Sequence, residues 1–172
     1  MLELMKTRRS IRKYQDRQVE QDKIDSILKS GLMSPSGRAS KPWQFIAVTD
    51  KDKLQRLALS REGASSFLSG APLGIVVAAD ENTSGTWVED ASIAAAFMQL
   101  AAHSLGLGSC WIHIRERSHN ALKTSEEYVR ELLNIPDNVR VLCILAIGYP
   151  AEEKPAHQEK DLLYSNIHYN EY

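Results

Sequence analysis

Apolar positions along the chain switch between helical and strand spacing, and the switches outline a series of elements. Leu2 to Lys6 is compatible with a short helix. Within Asp22 to Ser30, the residues Ile24, Ile27 and Leu28 fall on one helical face. Gly31 is expected to end that helix as a left-handed cap, with Leu32 closing a Schellman turn. Gln44 to Thr49 predicts a first strand, and Asp50 can cap a helix reaching about Leu59. Leu73 to Ala79 is an unbroken apolar run of strand length, expected to be buried on both faces. Thr86 to Leu105 predicts a long helix, with Thr86 and Glu89 spaced as a capping box and Gly106 as its stop. Its stretch Ile93 to Ala102 is apolar nearly all round, broken only by Gln99. Such a helix must be covered on every side, by a core or by a second subunit. Ser109 to Ile114 predicts a strand, Thr124 to Leu133 a helix with a Thr124/Glu127 capping box, and Val139 to Ile147 a last strand before Gly148-Tyr149-Pro150.

A chain of 172 residues with this order fits one domain over residues 1–150. Residues 151–172 are polar, hold three of the six tyrosines, and read as an arm that packs on something, a second subunit being one option. Helices and strands alternate irregularly, which favours an α+β sandwich, a sheet flanked by helices. The glycines at 106 and 108 follow a helix and lack the third glycine of a dinucleotide fingerprint. A formal net charge of -1 offers no general attraction to nucleic acid or to a membrane surface. No apolar run approaches the roughly 20 residues of a membrane span. Cys110 and Cys143 form no CxxC pair, so a cytoplasmic setting is expected. The five histidines show no metal-ligand spacing, and no metal is expected.

Three clusters could carry chemistry. In Arg8-Arg9-Ser10-Ile11-Arg12, an extended backbone would put Arg8, Ser10 and Arg12 on one side. Two guanidinium forks and a hydroxyl can grip a phosphate, with Arg9 beside them; a solvated basic segment is the plainer reading. Ser34-Pro35-Ser36-Gly37 opens a stiff loop whose serines and free N–H groups can bind a ligand, or which simply connects a helix to a strand carrying Trp43. Gly106 to His113 caps a helix and enters a strand, where Trp111, Ile112, His113 and Ile114 could wall a planar heterocycle.

In order and spacing, from Arg8 to Pro150, these clusters resemble the FMN-dependent nitroreductase family. The resemblance implies a nitroreductase-like sandwich with a mixed, mainly antiparallel sheet, and a domain-swapped type of homodimer with FMN at its interface. It implies that Arg8 meets the phosphate, Ser10 the phosphate or ribityl chain, and Arg12 the pyrimidine side of the ring. Pro35, Ser36 and Gly37 would reach the flavin of the other subunit. Trp111 to Ile114 would run beside the ring, and Lys154 would complete the phosphate site, with His157 behind it. The activity implied is hydride uptake from NADH or NADPH and ping-pong transfer to a small acceptor of nitroaromatic, quinone or flavin type. A flavin-binding sensor without turnover, or flavin fragmentation or reductive dehalogenation on the same fold, are the alternatives. The loop departs from the family pattern at Ala39 and Lys41, where the family carries Asn and Gln.

Overall fold

A computed structural model describes all 172 residues. Its elements run α1 (Leu2–Thr7), α2 (Gln21–Leu32), β1 (Trp43–Val48), α3 (Lys51–Leu57), β2 (Leu73–Asp80), α4 (Trp87–Ser104), β3 (Gly108–His113), α5 (Ser125–Leu133) and β4 (Val139–Gly148). Short 3-10 turns lie at Gly37–Ala39 and Ser66–Gly70, and two more, Glu159–Asp161 and Tyr164–Asn166, lie in the C-terminal arm. The four strands pair in the order β1-β2-β4-β3, every pair antiparallel. The parallel component is a single bridge, Ser10 to Ser109, which lays the N-terminal segment along the outer edge of β3. No helix is long and apolar enough to cross a membrane.

Side-chain alternation divides the core into two layers. Leu73, Ile75, Val77 and Ala79 of β2, with Cys143, Leu145 and Ile147 of β4, pack under α2 and α4. Val76, Ala78, Val141, Ile144 and Ala146 face the other way, toward α3, α5 and the Ser66–Gly70 turn. Both central strands are buried on both faces, as the unbroken apolar runs require. The alternation shifts once. Val77 pairs with Cys143 but Ala78 pairs with Val141, so Leu142 is an extra residue in β4. This bulge puts Leu142 and Cys143 in the same layer. The Leu142 carbonyl accepts from both Ile114 and Arg115, at 3.1 Å each, and bends the chain after β3.

Two end signals behave differently from the local expectation. Gly31 does not cap α2; the helix continues through it to Leu32, which stays exposed. A β-carbon at Gly31 would lie 2.9 Å from the Phe45 ring and 3.0 Å from the Met98 sulfur, so the position uses the missing side chain for close packing. Nor do Thr86 and Glu89 form a capping box, because the Thr86 hydroxyl is diverted to Asp90. Elsewhere the signals hold. Thr124 and Glu127 form a reciprocal capping box, and Asp50 accepts from the Lys53 N–H at 2.8 Å. Gly106, at φ +79°, closes α4 as a Schellman turn, with Leu107 N–H on the Ala102 carbonyl and Gly106 N–H on the His103 carbonyl.

Within one chain α4 is not covered on every side. Asp90, Ala91, Ala94, Ala95, Met98 and Ala102 are buried, while Ile93 and Phe97 remain 38% and 41% exposed. The arm begins on its own chain. Ala151 N–H donates to the Lys13 carbonyl, His157 N–H to the Lys6 carbonyl, and the Arg9 guanidinium to the Pro155 carbonyl. Beyond this point Leu162, Leu163, Tyr164, Ile167, Tyr169 and Tyr172 are exposed.

The edge of β3 depends on Gly108. A β-carbon there would sit 2.8 Å from Ile11 Cβ, an atom held close to its own backbone. Gly108→Ala is therefore expected to lower stability by about 1–3 kcal/mol, the usual cost of overpacking, read from the urea midpoint. It should also raise hydrogen exchange at the Ile11 N–H, which donates to the Ser109 carbonyl at 3.0 Å.

Candidate functional site

The N-terminal segment reaches β3 in extended form, and its alternation sorts the side chains. Ile11 is buried against Gly108, and Arg9 turns to the arm. The Ser10–Ser109 bridge lays the segment along β3, and Glu152 ties the turn that carries Lys154 to the Arg12 N–H. Beneath the segment, burial pushes the Cys110 thiol pKa up, opposed by Arg12, the Ser10 hydroxyl, Lys154 and Arg8. Arg8 and Arg12 lie in no ion pair; Lys154 has Glu152 at 3.8 Å. The Arg12 guanidinium stands 5.7 Å from the Phe67 ring centre.

The turn that carries Lys154 is itself fixed. The Glu152 carboxylate accepts from the Arg12 N–H at 2.6 Å and the Lys13 N–H at 3.2 Å, and the Arg12 N–H above all holds its pKa below the usual range. Tyr149 is gripped from the start of α2 and the segment before it. Its hydroxyl donates to Glu20 at 2.6 Å, Lys23 donates to it at 2.7 Å, and the Arg17 guanidinium covers its ring at 3.8 Å. Tyr14 donates from its hydroxyl to the Ile11 and Ala146 carbonyls, and burial pushes its phenol pKa up. The cationic group is thus mounted on rigid elements, which is what precise positioning needs.

The four wall residues are split by the strand. Ile112 and Ile114 are buried in the α5 layer, while Trp111 and His113 are half-buried on the other face with their rings stacked at 6.3 Å. The Trp111 indole N–H approaches His113 Nδ1 at 3.4 Å. On the backbone, Ile114 N–H points inward to β4, and the Ser109 carbonyl points outward to Ile11. Alternation then directs the Trp111 and His113 N–H groups to the outer edge.

The loop of Pro35, Ser36 and Gly37 is elsewhere. The buried Asp90 carboxylate accepts from Gly37 N–H at 2.7 Å, Ser84 Oγ at 2.9 Å and Thr86 Oγ1 at 3.2 Å. The loop is also bent: Arg38, Ala39 and Lys41 have φ of 53°, 55° and 50°. Ser36 Oγ accepts from the Lys41 N–H at 3.0 Å. The Arg8 segment meets α4 at its other end, where Thr7 bonds His103 at 2.8 Å and Gln99 donates to Ser109 at 3.3 Å. From Asp90 to His103 the helix rises about 20 Å. One chain therefore lays the Arg8–Arg12 segment along β3 with the Lys154 turn tied to it, but leaves Pro35 to Gly37 at the far end of α4.

Asp90, Glu152 and Phe67 were invisible to sequence reasoning. An acid in a helix's first turn looks like an ordinary partner of the helix dipole, and Glu152-Glu153 looks like a solvated pair. Asp90→Ala would strand three donors. It should cost on the order of 3 kcal/mol in thermal unfolding and speed exchange of the Gly37 N–H, whereas Glu89→Ala, one residue away and exposed, should do neither.

The nitroreductase family model matches residues 5–60 and 57–149. An FMN-dependent nitroreductase of Clostridium difficile superposes with a TM-score of 0.98 at 47% identity, over 100% of both chains. A protein of Methanothermobacter thermautotrophicus described as NADH dehydrogenase/NAD(P)H nitroreductase is 40% identical over 155 residues, 88% of this chain and 78% of its own. An NADPH-type FMN reductase of Bacillus subtilis is 28% identical over 191 residues, 97% of this chain and 74% of its own. With its antiparallel sheet, its Arg-Arg-Ser segment bridged to β3 and a matched span of nearly its whole length, the chain belongs to the nitroreductase family.

Proposed function

We propose that this chain is an NAD(P)H-dependent oxidoreductase that holds FMN between two copies of itself. The observation that carries this reading is the Arg8–Arg12 segment bridged at Ser10 to the edge strand β3 and tied by Glu152 to the Lys154 turn, with Arg8 and Arg12 in no ion pair. The donor set fits FMN from end to end. Arg8, Ser10 and Lys154 suit a phosphate dianion, since guanidinium forks match its oxygens. Arg12, over Phe67, would place positive charge beside the pyrimidine edge, where negative charge gathers on reduction. The outward N–H groups of Trp111 and His113 supply donors along the ring, with Ile112 and Ile114 anchoring the strand from behind. When bound, FMN supplies hydride and electron transfer between NADH or NADPH and a small acceptor, in alternating ping-pong half-reactions. The protein's share is to orient the ring, neutralise the phosphate and exclude water.

The second copy follows from what one chain lacks. Pro35, Ser36 and Gly37 sit about a helix length from the cations, so in this reading they serve the flavin of the partner. Ile93, Phe97, Leu32 and Met33 leave an apolar face on α2 and α4 for that partner to cover. The arm, residues 151–172, starts on its own chain and presents its exposed Leu and Tyr residues to the same partner.

The purified protein should be yellow, release FMN on denaturation, and sediment as a dimer. Rapid bleaching by NADH or NADPH in stopped flow separates an oxidoreductase from a flavin-binding sensor. Arg8→Ala combined with Arg12→Ala should weaken FMN binding on the order of 100-fold or more, since each charge-assisted hydrogen bond contributes about 1.5–3 kcal/mol. Unchanged affinity in that variant would remove the assignment of this segment.

A further inference from the structure

Helix α4 is apolar nearly all round from Ile93 to Ala102, and Gln99 is the exception. His103 follows it by four residues, so the two side chains leave the same helical face. Both residues are half-buried. A half-buried amide in an apolar stretch destabilises the fold unless it is bonded. Gln99 and His103 are both bonded, and neither bond goes to the core. Gln99 Nε2 donates to Ser109 Oγ at 3.3 Å, and His103 Nε2 lies 2.8 Å from Thr7 Oγ1. Ser109 is the β3 residue bridged to Ser10, and its carbonyl takes the Ile11 N–H. Thr7 is the last residue of α1, directly before Arg8. One face of α4 therefore grips the N-terminal segment at Thr7 and, through Ser109, at Ser10, with Arg8 between the two points.

Helix α1 needs that grip. It has six residues and buries none of them. Isolated helices under roughly 12–15 residues are marginal in water, so α1 is held by its attachments. At Arg8 the backbone leaves the helix for an extended conformation, with φ -63° and ψ 119°. The path of the chain at Arg8 is thus set by where α1 ends. The Thr7 hydroxyl has one proton to give, and the Glu3 carbonyl at 2.9 Å accepts it. That leaves the Thr7 oxygen to accept from the His103 Nε2–H. Burial first, and the Arg8 charge second, lower the His103 pKa, so near pH 7 the ring acts as a neutral donor. Thr7, His103 and Lys154 line one cavity of about 290 Å3, which sets the grip beside the Lys154 turn.

We propose that Gln99 and His103 are positioning residues for the phosphate end of the flavin: through neutral hydrogen bonds to Ser109 and Thr7 they hold Ser10 and Arg8 in place before FMN arrives. The inference rests on the flavin reading above, which assigns Arg8 and Ser10 to the phosphate. A segment fixed in advance loses less conformational freedom on binding, and that saving appears as affinity. Gln99 and His103 act through Ser109 and Thr7, not on the flavin itself.

The test compares FMN with riboflavin, which shares the ring and the ribityl chain and lacks the phosphate. Binding to the full-length apoprotein is read from quenching of flavin fluorescence. His103→Ala is expected to weaken FMN binding at least about fivefold, the loss of one hydrogen bond, and to leave riboflavin affinity unchanged. His103→Gln keeps a neutral N–H donor and should restore most of the FMN affinity. Thr7→Val, an isosteric change at an exposed site, should match His103→Ala. The two together should be no worse than either alone, because both remove the same bond. Gln99→Leu should weaken FMN with the same selectivity. Equal weakening of FMN and riboflavin would overturn the proposal, by giving these residues a general structural role. Unchanged FMN affinity in His103→Ala and Thr7→Val would overturn it too, as would no recovery in His103→Gln or additive losses in the double variant. Failure of the flavin reading is distinguishable, because a parent protein that binds no FMN, or binds riboflavin as tightly as FMN, fails before any variant is compared.

Discussion

Everything in this molecule is arranged around the enclosure of β4. It is bonded to β2 on one edge and β3 on the other, and it is buried on both faces from Val141 to Gly148. A strand in that position can satisfy its backbone only by pairing, and its side chains only by being covered from both sides. The two helical layers, α2 with α4 and α3 with α5, are the consequence. So is the position of β3, which becomes an edge and is free to take the Arg8 segment on one side. The candidate site exists because the sheet stops there.

The local patterns of the sequence were legible where one element decides its own fate. The apolar runs of β2 and β4, the Thr124/Glu127 box and the Gly106 stop all appear as expected. The misreadings fall where a distant residue wins. Gly31 has the look of a cap, yet Phe45 and Met98 need its empty side-chain space. Thr86 has the look of half a capping box, yet the buried Asp90 takes its hydroxyl. The same distinction governs the site. Spacing alone placed Arg8, Ser10 and Arg12 on one side of an extended segment, and the fold bridges that segment to β3 at Ser10. That Glu152 ties the Lys154 turn to the Arg12 N–H, and that Arg9 bonds the arm, depend on contacts between the two ends of the chain. No periodicity encodes such contacts.

Helix α4 holds two separate parts of the chain in place. At its start it locks the Ser36-Gly37 loop through Asp90, and near its end it locks β3 and α1 through Gln99 and His103. Its alanines let neighbours approach closely, and its Ile93 and Phe97 stay partly exposed.

The extra residue at Leu142 has an effect on how the chain finds this arrangement. Val141 to Ile147 is so uniformly apolar that a shift of two residues against β2 would still bury it. The bulge breaks that equivalence. Only one alignment puts the unpaired Leu142 where its carbonyl can take two N–H groups from the end of β3. It serves as an index mark on an otherwise featureless strand, choosing among sheets that hydrophobic burial alone would rank as equals.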